Sequence, residues 1–382
     1  MQFNFSDILF LLVLFLLVFI SIFLFTSDKG KRISNVLIGS FFLAICLNLA
    51  DSFLLLKRVY FEYPAWAGWG SALLLVCGPL IFFYTQSVIY KDFHFTRRKI
   101  IHFLPFMLLF IVSEAGYLVA GHQKQIEILT GIIERKIPEA IYIVSSGIYI
   151  HFLVYLFVAL QLIKRYSVAA SNQYSEAQRV TLRWLKTTII FFLALIVVSA
   201  INSYLSFQSL EHAYFLLLSI IVFLLLLFII AMLFKALGNP QIFSVWEEKE
   251  IEEAIQTAKY SASSLGNNEK ARILEKLQQH MQSQRPYLEP ELTLDELATQ
   301  LSVKPKILSQ VINELLQQNF FEFINHYRIE EAKRLLTNPK DKKITVLEVM
   351  YEVGFNSKSS FNTIFKKNTG LTPGGFKKKN LE

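Results

Sequence analysis

The chain has 382 residues, room for two domains. Its hydrophobic content is 53% and its mean hydropathy +0.42, too apolar for a wholly water-soluble protein, and the long apolar runs are confined to residues 1–235. The net charge of +8 selects no partner until it is placed on a topology, and the two cysteines, Cys46 and Cys77, both inside apolar runs, read as small buried side chains rather than a disulfide framework or a metal pair.

Residues 8–25 form the first apolar run, about 27 Å of helix at ~1.5 Å per residue. Asp7 precedes it, no basic lead is present, and Asp28-Lys29-Gly30-Lys31-Arg32 follows, so it reads as a retained span rather than a cleaved signal. Six further segments can cross a ~30 Å hydrocarbon core, giving spans near 7–26, 34–56, 70–90, 100–120, 140–163, 187–207 and 212–234. Mostly short loops join them, as expected when backbone groups in lipid must be satisfied within helices. The loops after spans one, three and five hold twelve Lys and Arg residues, among them Arg97, Arg98, Lys164 and Arg183; the other loops hold five. This bias places the N-terminus outside and the C-terminal part in the cytoplasm. Trp66 and Trp69 are expected at the outer interface, and Pro79 and Pro105 are expected to kink their helices.

Polar groups inside spans are the candidate sensing residues. Glu114 in span four and His151 in span five are singled out for a signal ligand or for protons; against this, the two could pair structurally, or Glu114 could lie shallow enough to reach water. Asn48 suits an interhelical hydrogen bond, while Asp51 and Asn202 could lie near helix ends. Residues 212–234 contain no lysine, which argues against a retinal Schiff base. The seven histidines are scattered, so no metal or cofactor is expected.

Gly238-Asn239-Pro240 ends the last span. The stretch 241–268 is polar, with a helix predicted over 246–258. From 269 to 284, Ile273, Leu274, Leu277 and Met281 form an amphipathic stripe that either packs on the following domain or pairs with a second copy.

Two helix-turn-helix patterns follow. Thr293-Leu294-Asp295-Glu296 is a capping box opening a helix to about Gln300, and Pro305 suits the first position of the next, over 305–316. That helix is expected to bury Leu308, Ile312 and Leu315 and to expose Lys306, Ser309, Gln310 and Asn313. In the second unit Thr345 caps a helix over 346–353, Gly354 suits a left-handed C-terminal cap, and a helix over 358–367 turns Phe361, Ile364 and Phe365 inward. Lys358, Ser359, Ser360, Asn362, Thr363 and Lys366 are left outside, with Lys367 beside them. Between the units, residues 321–336 form a rod about 24 Å long, able to set two recognition helices into successive major grooves ~34 Å apart. Residues 355–379 hold six lysines and no acid, which attracts phosphate but also suits anionic lipid.

Gly354-Phe355-Asn356-Ser357-Lys358-Ser359-Ser360-Phe361, Phe365-Lys366-Lys367 and Gly370-Leu371-Thr372-Pro373, with Phe323-Ile324-Asn325-His326-Tyr327-Arg328 and Ala332 upstream, resemble the AraC family of regulators over roughly residues 290–379. Gly78-Pro79-Leu80-Ile81-Phe82-Phe83-Tyr84 and His102-Phe103-Leu104-Pro105-Phe106 resemble the membrane part of membrane-bound members. The resemblance implies base-edge contacts from Lys306, Ser309 and Gln310 and from Ser359, Ser360 and Thr363. Gln310 and Thr363 stand where many members carry Arg, which disfavours a strongly guanine-specific site; Gln310 and Asn362 suit adenine.

The expectation is an all-α protein: a seven-helix transmembrane bundle (1–235), a cytoplasmic linker with a helix (236–284) and a soluble AraC-type domain (285–382) in a bacterial inner membrane. It is expected to be a non-enzymatic, one-component regulator whose bundle senses a signal ligand and passes the change through the linker to double-stranded DNA, with a homodimer as one form. The alternatives are an anchor released by proteolysis within 236–268 and a membrane enzyme or transporter with a regulatory tail.

Overall fold

The computed structural model describes residues 5–90, 92–134, 136, 138–175, 179–207, 211–238, 266–337 and 344–381. The predicted helix over 246–258 and Asn239-Pro240 lie outside them. Helices account for the regular structure among the described residues, apart from one isolated antiparallel bridge between Tyr174 and Thr293. The chain divides into two compact units: residues 1–163 with 184–248, and residues 164–183 with 249–382.

The first unit holds α1 (Phe5–Thr26), α2 (Arg32–Leu56), α3 (Leu74–Ile89), α4 (Leu104–Val119) and α5 (Gly121–Ile133). It also holds most of α6 (Glu139–Gln173) and α7 (Arg179–Phe207), and α8 (Glu211–Gly238). Seven stretches are long and apolar enough to cross a membrane: Ser6–Thr26, Arg32–Leu56, Pro64–Ile89, Arg97–Val119, Glu139–Gln173, Leu182–Leu205 and Ala213–Phe234. Six of them carry several exposed apolar side chains that suit lipid, as with Ile8, Phe15 and Ile22 on α1, whereas in Pro64–Ile89 the exposed large apolar side chain is Trp66. Aromatic side chains pack between the helices of this unit: Phe41 meets Phe192 edge-on at 4.8 Å, and Phe191 stacks on Phe228 at 4.2 Å.

Two details depart from the sequence expectation. Pro105 lies in the first turn of α4, where its missing N–H costs nothing, so it opens the helix after a 3₁₀ stretch (Arg97–Phe103) instead of kinking it. Pro79 does lie within α3. An additional amphipathic helix, α5, fills the loop after span four and buries Leu129 against Tyr60 and Ala67.

The second unit contains α9 (Asn267–Ser283), α10 (Leu294–Gln300), α11 (Pro305–Leu315), α12 (Phe320–Leu336), α13 (Val346–Glu352), α14 (Lys358–Thr369) and α15 (Pro373–Leu381). Two cores share the rod α12. Its first half gives Phe320, Phe323 and Ile324 to a cluster with Leu297, Ala298, Leu308 and Ile312. Its second half gives Ile329, Ala332 and Leu336 to a cluster with Val349, Met350, Phe355, Phe361 and Phe365. The amphipathic stripe of α9 joins the first cluster, where Leu277 and Met281 are fully buried, so packing on its own domain accounts for that stripe.

Burying Leu277 and Met281 contributes about 1.5–3 kcal/mol each. A fragment of residues 266–382 is therefore expected to unfold cooperatively in urea, and one of residues 285–382 at a much lower midpoint. Equal midpoints would show that α9 is not part of this core.

Candidate nucleic-acid interface

Each helix-turn-helix unit is built by the same local devices. Thr293 accepts from the Glu296 N–H at 3.2 Å while the Glu296 carboxylate accepts from the Thr293 N–H at 2.8 Å. Thr345 and Glu348 repeat this at 3.1 and 2.7 Å. Both first helices then end in a left-handed residue, Ser302 (φ 54) and Gly354 (φ 86). The following N–H reaches back five residues, Val303 to Ala298 and Phe355 to Met350, each at 3.0 Å. Gly354 has a second reason to lack a side chain: a Cβ there would lie 2.7 Å from the Leu288 carbonyl oxygen.

The turns aim α11 and α14. On α11 the buried stripe is Leu308, Val311 and Ile312. Leu315, expected inside, is instead 42% exposed: it lies on the same face as that stripe but is the last residue of α11, and the first core cluster does not include it. Lys306 is exposed, and Ser309, Gln310 and Asn313 are half-buried. Asn313 donates to Ser309 Oγ at 3.2 Å, and Gln310 donates to Glu314 at 2.9 Å. Glu314 also pairs with Lys270 of α9 at 2.7 Å. The sequence reading missed this acid beside the recognition face; hydrogen bonds from Lys270 and then Gln310 hold its carboxyl below its ordinary range.

On α14, Ser357 caps the helix by accepting from the Ser360 N–H at 3.4 Å, while Phe361 and Phe365 anchor it. Lys358, Ser359, Thr363, Lys366 and Lys367 are exposed, and Ser360 and Asn362 are half-buried. The Lys367 ammonium lies 3.9 Å from the Glu322 carboxylate. Each recognition helix thus carries its expected polar residues away from its core. In the basic tail, Lys377 donates to the Ile344 carbonyl, while Lys378 and Lys379 are exposed.

Arg328, midway along α12, is fully buried. It donates to the Tyr287 carbonyl at 2.7 Å, to Glu289 at 2.6 Å and to Pro290 at 3.2 Å. Its guanidinium carbon lies 5.5 Å from the Phe355 ring centroid. It also donates to Ser175 Oγ at 3.3 Å, and Asn325 donates to the Ser175 carbonyl at 3.1 Å. Gln173 donates to Asp295 at 2.5 Å. Segment 173–175, between α6 and α7, is thereby built into the second unit at the first helix-turn-helix cap.

The candidate sensing residues are not brought together. Glu114 lines an aromatic pocket with Tyr60, Tyr63, Trp66 and Trp69, and its charged neighbour is Asp51. His151 lies 4.9 Å ring to ring from Tyr155, whose hydroxyl bonds His102 at 2.6 Å. Asn48 donates to the Gly70 carbonyl at 3.0 Å, Asp51 accepts from Tyr60, and Asn202 is buried.

Residues 297–379 match the helix-turn-helix domain family. This region is an AraC-type helix-turn-helix domain. The AraC-type region is 34% identical over 88 residues to an uncharacterized HTH-type transcriptional regulator in the cgkA 5' region of Pseudoalteromonas carrageenovora. It is also 32% identical over 87 residues to the uncharacterized regulator YijO of Escherichia coli (strain K12) and 32% over 89 to YtdP of Bacillus subtilis (strain 168). Each alignment covers 23% of this chain and 50%, 30% and 11% of those relatives, respectively, so the likeness is confined to the AraC-type domain. No solved structure significantly matches the chain.

The second capping box gives a pH signature. Bonds from Thr345 hold the Glu348 carboxyl below its ordinary range, so folding favours the ionised form. Its contribution is complete above the unfolded value of about 4.3 and disappears as pH falls through the lowered folded value. Urea unfolding of Glu348→Gln should have a flatter pH dependence across that window than the parent, and Thr345→Ala should cost about 0.5–2 kcal/mol at neutral pH.

Proposed function

We propose that this chain is a membrane-embedded, one-component transcription regulator that binds double-stranded DNA through α11 and α14 in response to a signal sensed by its membrane part. The observation that carries it is the pair of capped, rod-linked helix-turn-helix units with polar outer faces, in one chain with seven apolar membrane-length helices. In this reading residues 1–235 are the membrane domain, 236–284 the linker and 285–382 the DNA-binding domain. The Lys and Arg asymmetry supports an outer N-terminus and a cytoplasmic C-terminal domain in a bacterial inner membrane.

Lys306, Ser309, Gln310, Asn313, Ser359, Ser360, Asn362 and Thr363 are the base-edge candidates, and Lys358, Lys366 and Lys367 the phosphate contacts. Phosphate contacts set affinity and its salt dependence, whereas base contacts set sequence choice. Gel shifts with residues 266–382 on the gene's own upstream region test this. Gln310→Ala should relax base preference, with a loss of about 1–3 kcal/mol on the preferred site, and Lys366→Ala should weaken all sites alike and flatten the salt slope by about one. A folded fragment that binds no DNA at low salt would end the proposal.

Transmission has a shorter route than the linker. Segment 173–175 joins two membrane-length helices and bonds Asn325, Arg328 and Asp295 of the DNA-binding domain. A shift of α6 against α7 would reach the domain directly. Ser175 is 1% exposed, so Ser175→Trp cannot fit and should disconnect the domain from the bundle. In a reporter strain the variant should lose its response to inducing conditions while staying full length on an immunoblot. A normal response would return transmission to the linker, and a shortened chain under induction would favour the proteolytic anchor.

A further inference from the structure

We propose that the aromatic pocket around Glu114 binds an organic cation, an amine or quaternary ammonium carrying an apolar arm. This rests on the sensing function above and assigns its ligand class. The pocket is about 710 Å³ and its walls include Tyr60, Tyr63, Trp66, Trp69 and Glu114.

The walls are held in place from behind. Tyr60 is 3% exposed and donates to Asp51 at 2.8 Å, and Trp69 donates its indole N–H to the Tyr60 hydroxyl at 2.9 Å. Asp51 packs so closely on Gly70 that a Cβ there would lie 2.3 Å from Asp51 Cβ. Tyr117 donates to the Pro64 carbonyl at 2.9 Å and in turn accepts, at its own carbonyl, from Gln125 of α5 at 3.0 Å. The bend carrying Tyr60 to Trp69 is therefore fixed to α2, α4 and α5 before any ligand arrives.

The electrostatics select the ligand. Glu114 makes no hydrogen bond or ion pair among the described residues, and the charge acting on it is the carboxylate of Asp51, of the same sign. Aromatic faces carry negative potential as well. A site made of ring faces and an uncompensated carboxylate favours a cation whose charge is spread and weakly hydrated. A small metal ion is a poor fit, since no group of three or more His, Cys, Asp or Glu residues that could hold one occurs among the described residues. The volume exceeds what a bare ammonium fills and falls in the range of pockets for ligands of roughly 300–1,000 Å³, which calls for the apolar arm. An interfacial anchoring belt would explain Trp66, which is 74% exposed, but not a buried Tyr60 with Trp69 bonded to it, nor Glu114.

The test uses the full chain in lipid nanodiscs, with tryptophan fluorescence and calorimetry as readouts. The probes are choline, dodecyltrimethylammonium below its micelle concentration, and the neutral isostere 3,3-dimethylbutan-1-ol. Saturable binding of at least one cation is expected, with the neutral isostere, Glu114→Gln and Trp66→Leu each weaker by about tenfold or more. Trp66 is exposed enough for its variant to fold, and thermal melts verify both. No cation binding, equal binding of the neutral isostere, or unchanged affinity in Glu114→Gln overturns the proposal. Gel shifts on the same nanodisc samples separate the two failures: DNA binding without cation binding sinks only the pocket, and absent DNA binding sinks the regulator itself.

Discussion

One buried guanidinium organises the second unit. Burying a charge is costly unless it is hydrogen-bonded, and Arg328 donates from Nε to the carbonyl of Tyr287 and from Nη2 to those of Glu289 and Pro290. Those carbonyls belong to a short irregular segment that could not otherwise satisfy its backbone inside a core. The segment's position in turn accounts for Gly354, which must leave room for the Leu288 carbonyl. Arg328 also reaches Phe355 of the second helix-turn-helix unit and Ser175 of the α6–α7 segment. Lead-in segment, rod, second turn and inter-helix segment are thus fixed by one side chain, and the relative setting of the two recognition helices depends on it.

Much of this domain was legible in the sequence because its rules are local. The capping box at Thr293, the cap at Thr345, Pro305 and Gly354 each specify a helix end through the backbone of the next few residues; the structure has all four and adds Glu348, which makes the second cap a box as well. The seven membrane-length segments were legible for a similar reason, since composition over some twenty residues is enough to declare them. Leu315 was misplaced because apolar spacing gives the face of a helix but not how far along it the core extends; Leu315 continues the buried stripe at the last residue of α11 and is exposed there. Arg328 could have been found. It falls four residues after Ile324 and four before Ala332, on a stripe that is otherwise core, and a charge at such a position signals a buried polar anchor.

The membrane part was less legible where tertiary contacts decide. Glu114 stood out as an acid in an apolar stretch, yet its aromatic neighbours come from residues 60–69, on a bend that no periodicity announces. His151 was paired with it on chemistry alone, while the fold sets His151 beside Tyr155 and His102. α5 was missed for a related reason. Residues 121–133 are too polar to cross a bilayer and read as loop, but an amphipathic helix that buries Leu129 and Gln125 also satisfies that composition.

The magnitudes favour the contact at Ser175 as a place where a weak input can act. A tenfold change in DNA affinity requires about 1.4 kcal/mol. Of the hydrogen bonds that Ser175 receives, the one from Asn325 contributes about 0.5–1.5 kcal/mol net and the one from the charged Arg328 about 1.5–3 kcal/mol. Keeping or losing both covers the required change, whereas releasing Arg328 from its carbonyls would cost far more and unfold the unit. The bonds of Arg328 to the 287–290 carbonyls do not involve the segment, which is also tied through Gln173 to Asp295 and through Tyr174 to Thr293, so in the proposed transmission these are the contacts a shift would have to break. An interaction that is strong on one side of the guanidinium and weak on the other is what a two-state connection needs: a permanent frame with one releasable strut.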